Sequence, residues 1–152
     1  MATVLVTDEQ HDHPVEARRW VALATSVLQA EGVPEHAELS MAFVDEETMA
    51  DLNRRYAGED GATDVLAFPI DDIVPGETAP AMLGDLVICP AVARRNAAPS
   101  ARAYDDELAL LVVHGILHLV GMDHAEAGEA ADMHRREREL LGPSHTANAA
   151  RH

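Results

Sequence analysis

His114, His118 and His124 stand in the run His114-Gly115-Ile116-Leu117-His118-Leu119-Val120-Gly121-Met122-Asp123-His124, a spacing that can close on one divalent metal ion. The first two lie four residues apart, so on a helix they sit one turn above each other on the same face and can share a ligand. A continuing helix would carry the third away. Gly121 is placed to end the helix in a left-handed conformation and fold the chain back, returning His124 to the same point. Neutral imidazole nitrogens bind Zn2+ at about 2.0–2.1 Å, and three protein ligands leave a fourth position for water, the pattern of a catalytic zinc. The cofactor expected is one Zn2+ per chain. Two histidines at helical spacing in an apolar run could equally be core residues bonded to carbonyls; the third in register, with Gly between, favours the metal. His11, His13, His36, His134, His145 and His152 fall outside the motif, and those in the Pro-, Ala- and Asn-containing ends read as solvated.

The pair needs a helix, and residues 102–120 supply one, with Ser100 as its cap and acidic residues in its first turn. Upstream, residues 3–7 alternate as a short strand, and Trp20, Leu23, Ala24, Val27 and Leu28 recur at helical spacing up to a stop at Gly32 and Pro34. Leu39, Met41 and Phe43 mark a half-buried strand. Asp45 caps a helix that carries Glu46 and Glu47 in its first turn and buries Met49, Leu52 and Tyr56. Residues 63–68 form a strand ended by Pro69, residues 71–81 a long loop, and residues 83–89 a last strand, after which Pro90 opens a short helix. A final helix over residues 126–141 stops at Gly142-Pro143. Strands early and helices late, without internal repeats, predict an α+β fold. It should have one small mixed sheet of about four strands packed by helices, with a zincin-like metal helix near the C-terminus.

With 152 residues and 47% hydrophobic content, the chain is expected to form one domain over residues 1–142, with residues 143–152 as a disordered tail. The single cysteine, Cys89, has no partner for a disulfide or a metal and falls in the apolar run Leu86-Val87-Ile88-Cys89, as a core thiol. The N-terminus has neither a basic nor an apolar signal region. Its longest apolar stretch, residues 108–122, is interrupted by two histidines and is too short to span a bilayer. No membrane is expected, and the cytoplasm is the expected compartment. The net charge of −16 repels polyanions unless the 11 basic residues, all Arg, are gathered locally. Several are paired, as Arg18/Arg19, Arg54/Arg55, Arg94/Arg95 and Arg135/Arg136, and guanidinium suits bidentate phosphate contact, although such pairs on helices are often solvated faces.

Over roughly residues 40–125 the chain resembles a known family, the bacterial YbeY endoribonucleases of ribosomal RNA maturation. The resemblance is carried by Leu52-Asn53, Thr63-Asp64-Val65-Leu66-Ala67-Phe68-Pro69, Leu83-Gly84-Asp85-Leu86-Val87-Ile88 and, most specifically, the histidine segment. It implies that His114, His118 and His124 are metal ligands. It further implies zinc-dependent, single-strand-specific RNA cleavage, action at the 3′ end of 16S rRNA and in ribosome quality control, and association with the small ribosomal subunit. Ala67 stands where the family strand normally has Ser, and Ala57 where some members carry an Arg; Arg54 or Arg55, one turn earlier, is then the candidate catalytic cation. Asp85 is a candidate support residue, accepting the second N–H of a ligand histidine.

Two other readings compete. The same spacing occurs in metzincin peptidases, in which the residue after the first His is the Glu that takes a proton from the zinc water; here it is Gly115. Phosphodiester cleavage depends less on that Glu, because the metal both acidifies water and neutralises phosphate charge. Alternatively the chain is a non-catalytic ribosome-assembly factor in which the metal, closed by Asp123 or a distant carboxylate, locks the C-terminal helices onto the sheet.

Overall fold

The computed structural model describes residues 2–72, 79–121 and 127–142; of Ala101 and residues 127–130 it gives the backbone alone. His124, Asp123, most of the loop over residues 71–81 and the tail over residues 143–152 lie outside the described residues.

The chain runs β1 (Thr3–Glu9), α1 (Ala17–Ala30), β2 (Ala37–Val44), α2 (Glu46–Leu52), a π-helical turn (Asn53–Ala57), β3 (Val65–Pro69), β4 (Ala81–Ile88), α3 (Pro90–Asn96), α4 (Ala101–Leu119) and α5 (Ala127–Leu141). The sheet order is β1-β2-β4-β3; β1 and β4 run parallel to β2, and β3 returns antiparallel along the outer side of β4. The architecture is thus the expected α+β fold with one mixed four-stranded sheet.

Alternation sets the two faces of this sheet. Leu39, Met41 and Phe43 of β2 and Leu86 and Ile88 of β4 point to one face, where they meet Trp20, Ala24, Val27 and Leu28 of α1 and the apolar surface of α4. Residues 108–113 of α4 and its Ile116 and Leu117 are fully buried, so this helix is apolar around its whole circumference. It runs through the middle of the domain between the sheet, α1 and α5. On the other face a smaller cluster joins Met49 of α2, Val87 of β4 and Val92 of α3.

Local chemistry fixes the ends of the elements. Asp45 accepts from the Thr48 N–H at 2.8 Å and Ser100 from the Ala103 N–H at 3.1 Å, both as side-chain N-caps. Because α4 starts at Ala101, its first turn carries no acid; Asp105 and Asp106 fall in the second turn, a correction to the sequence reading. The Tyr104 hydroxyl donates to the Pro14 carbonyl at 3.0 Å, tying the segment before α1 to α4. Cys89 is fully buried, and burial pushes its thiol pKa up, as suits an inert core residue.

At Gly84, α4, β3 and β4 crowd together. A Cβ there would lie 2.5 Å from the Phe68 carbonyl oxygen and 2.7 Å from Leu119 Cδ2. Gly84→Ala is therefore expected to cost about 1–3 kcal/mol or more, seen as a lower urea midpoint, because a backbone atom must give way. An unchanged midpoint would contradict this packing.

Candidate metal and RNA-cleavage site

His114 and His118 lie on the last turns of α4, with His114 all but buried and His118 partly exposed. Their Nε2 atoms converge to 3.1 Å, with the rings edge to face. Two nitrogens bound at about 2.05 Å to one tetrahedral ion stand about 3.3 Å apart, so the pair is already spaced as two ligands of a single metal. The helix ends as the sequence requires: Val120 donates its N–H to the Ile116 carbonyl, and Gly121 follows at φ +104°. Gly121→Val is expected to weaken metal binding without touching a ligand, because a β-branched residue resists positive φ. Retained metal in that variant would mean the turn is unimportant. The third predicted ligand, His124, lies outside the described residues. Among those that are described, no group of three His, Cys, Asp or Glu side chains is assembled to hold a metal.

Behind the pair is a carboxylate that the sequence reading missed. Glu137 of α5 is fully buried and places Oε2 2.7 Å from Nδ1 of His114, while its Oε1 has no hydrogen-bond partner among the described residues. An ionised Glu137 accepts from Nδ1–H, which leaves the Nε2 lone pair of His114 turned toward His118. The signal was present: Met133, Glu137 and Leu141 form the buried stripe of α5, and an acid in the middle of an apolar stripe needs a buried partner. The Arg136 guanidinium, 2.6 Å from Glu31 at the end of α1, pins the same helix from its outer side.

The histidines open into a cleft of about 420 Å³ walled by Asp64, Val65, Leu66, Ala67 and Pro69 on one side and by His114, Gly115 and His118 on the other. The helix approaches the sheet closely enough that a Cβ on Gly115 would lie 2.1 Å from Leu86 Cδ1.

Other predicted site residues are not brought here. Leu86 faces α4, so Asp85, its neighbour on the strand, points to the opposite face. There it lines a separate hollow of about 550 Å³ with Ser40, Tyr56 and Phe68. Parity thus sets Asp85 on the face opposite the described rings of His114 and His118, and the carboxylate beside His114 is Glu137. Arg54 and Arg55 lie in the π-helical turn, each paired with Asp51 at 2.9 and 3.0 Å, and Arg55 stacks over Tyr56, whose ring meets Phe68 on the Asp85 face. Neither lines the histidine cleft.

A sequence profile of the family described as Endoribonuclease YbeY matches residues 5–144. The chain belongs to the YbeY endoribonuclease family. Among YbeY relatives, the Thermobifida fusca protein is 48% identical over 132 residues, covering 84% of this chain and 85% of the relative. The Beutenbergia cavernae protein is 43% identical over 141 residues, covering 89% and 94%. In fold, the chain is similar to the solution structure of TM1509 from Thermotoga maritima. There the TM-score is 0.58 at 22% identity, over 96% of this chain and 97% of that one. That likeness extends over nearly the whole of both chains and shows the shared fold.

Proposed function

We propose that this chain is a metal-dependent endoribonuclease that cuts single-stranded RNA in the His114/His118 cleft, with His124 as third ligand to one Zn2+. Its substrate in this reading is the 16S rRNA precursor near its 3′ end, met on or beside the small ribosomal subunit. A part in ribosome quality control follows from that placement. Family membership supports RNA cleavage as the reaction class. The observation that carries the site is the convergence of two Nε2 atoms at 3.1 Å in an open cleft, with a buried carboxylate behind one ring.

Zn2+ bound there would supply a Lewis acid for phosphate oxygen and lower the pKa of bound water to about 7. The remaining work belongs to the chain. Glu137 fixes the tautomer of His114, α4 holds both rings at ligand spacing, and the wall of β3 confines the scissile segment. No Arg side chain lines the cleft among the described residues, and Arg54 and Arg55 are each paired with Asp51.

The peptidase reading loses ground at Gly115. The position that holds a general-base Glu in that mechanism directs its Cβ into Leu86, a fully buried residue of the sheet, at 2.1 Å. A Glu there would have to displace the core. The test of the proposed reaction is incubation of the purified protein with a labelled RNA spanning the 16S 3′ end, as a single strand and as a duplex with its complement. Cutting of the single strand alone is expected. Equal cutting of the duplex, or cutting of neither strand with metal present, would overturn the reading.

A further inference from the structure

The edge of β3 carries information that the histidines do not. In an antiparallel pair, alternate residues turn both main-chain groups toward the partner strand and the intervening ones turn both away. On β3 the phase is set at Asp64 and kept as far as Ile70, beyond which the Asp71 N–H also turns to β4, donating to the Met82 carbonyl at 2.8 Å. The Cys89 N–H donates to the Asp64 carbonyl at 2.9 Å, and the Ile70 N–H donates to the Leu83 carbonyl at 3.2 Å. Val65 stands opposite Ile88, Ala67 opposite Leu86 and Pro69 opposite Gly84. Asp64, Leu66, Phe68 and Ile70 therefore face β4, while Val65, Ala67 and Pro69 turn their main-chain groups to the outer edge. Pro69 obeys the same phase: having no N–H, it sits where no ladder bond is lost.

This outer edge borders the histidine cleft, which Val65 and Ala67 line directly. A phosphodiester strand entering the cleft finds no Arg among the described lining residues. The donors on that wall are main-chain amides. Two residues of strand advance about 6.6–6.8 Å, close to one nucleotide step of an extended single strand. Each outward residue also offers a C=O beside its N–H. The first matches the ribose 2′-hydroxyl, the donor that separates RNA from DNA, and the second matches a phosphate oxygen.

We propose that the outer edge of β3 at Val65 and Ala67 is a subsite that holds the backbone of single-stranded RNA alongside the histidines, through N–H to phosphate and C=O to 2′-hydroxyl contacts. It rests on the reading of the cleft as an RNA-cleaving site. A peptide strand is the poorer fit, because Pro69 leaves it two fully equipped outward residues, too few for a stable added strand, whereas two amides one nucleotide apart are what a phosphate chain uses.

Ala67→Pro tests this directly. It deletes one outward N–H and leaves the inward bonds of Leu66 and Phe68 in place, and Pro69 shows that this edge accepts proline at the same phase. With one charge-assisted bond lost, KM for a labelled single-stranded oligoribonucleotide should rise about tenfold. The rise in KM should exceed any fall in kcat, and bound metal per chain should not change. A wild-type KM in the variant would overturn the subsite while leaving the cleavage reading intact. Failure of the wild-type chain to cut or bind RNA would overturn both. Should the variant not fold, amide exchange in the wild type decides. Bound oligoribonucleotide must slow exchange at Val65 and Ala67 but not at Leu66 and Phe68. Unslowed exchange at Val65 and Ala67 would overturn the proposal and leave the edge to a protein strand.

Discussion

His118→Ala is expected to lower the rate of single-strand RNA cleavage by about a thousandfold and to remove most of the bound metal. The two Nε2 atoms stand 3.1 Å apart because one helical turn stacks them, and removing one leaves a site that holds an ion through a single described ring. His118 is partly exposed at the end of α4, so the fold should survive the change and far-ultraviolet circular dichroism should match the wild type. Metal content near one per chain after the substitution would show that the ligand assignment is wrong. Cleavage at the wild-type rate would show that the cleft is not where RNA is cut.

Glu137→Ala is expected to weaken metal affinity by about 10–100-fold, measured by competition with a chromophoric chelator, although Glu137 itself is set back from the cleft. Its carboxylate lies 2.7 Å from Nδ1 of His114 in a fully buried position, and it decides which ring nitrogen carries the proton. Without it, the N–H is buried without that acceptor, at a cost of about 1–3 kcal/mol in the folded state. Glu137→Gln keeps a carbonyl acceptor but not the charge and should fall between the two. Wild-type metal affinity in Glu137→Ala would mean that the contact only packs α5 against α4.

Much of this site was legible before the structure because its signals are local. Four-residue spacing put His114 and His118 on one face, Gly121 took the positive φ that ends the helix, and Asp45 and Ser100 cap the helices they precede. The misses share a physical cause, which is that they depend on which surfaces meet. Alternation along β4 separates Asp85 from Leu86, but a sequence does not say which of them faces α4. Two carboxylates were therefore available for His114, and the one chosen lies 23 residues further along the chain, on a helix that packs back against α4. The placement of Arg54 and Arg55 depends on meeting surfaces in the same way. The π-helical turn and the pairs with Asp51 set them apart from the residues that line the histidine cleft.

The central claim is that a single metal ion on α4 makes this chain a ribonuclease. It is tested most directly by stripping the protein with a chelator and following cleavage of a single-stranded 16S 3′-end RNA as Zn2+ is added back, with circular dichroism recorded at each step. The expected result is a folded, inactive protein whose activity returns in proportion to bound metal and saturates at one ion per chain. Cleavage that persists after metal removal would contradict it, as would a chain that unfolds when stripped and refolds with metal but never cuts.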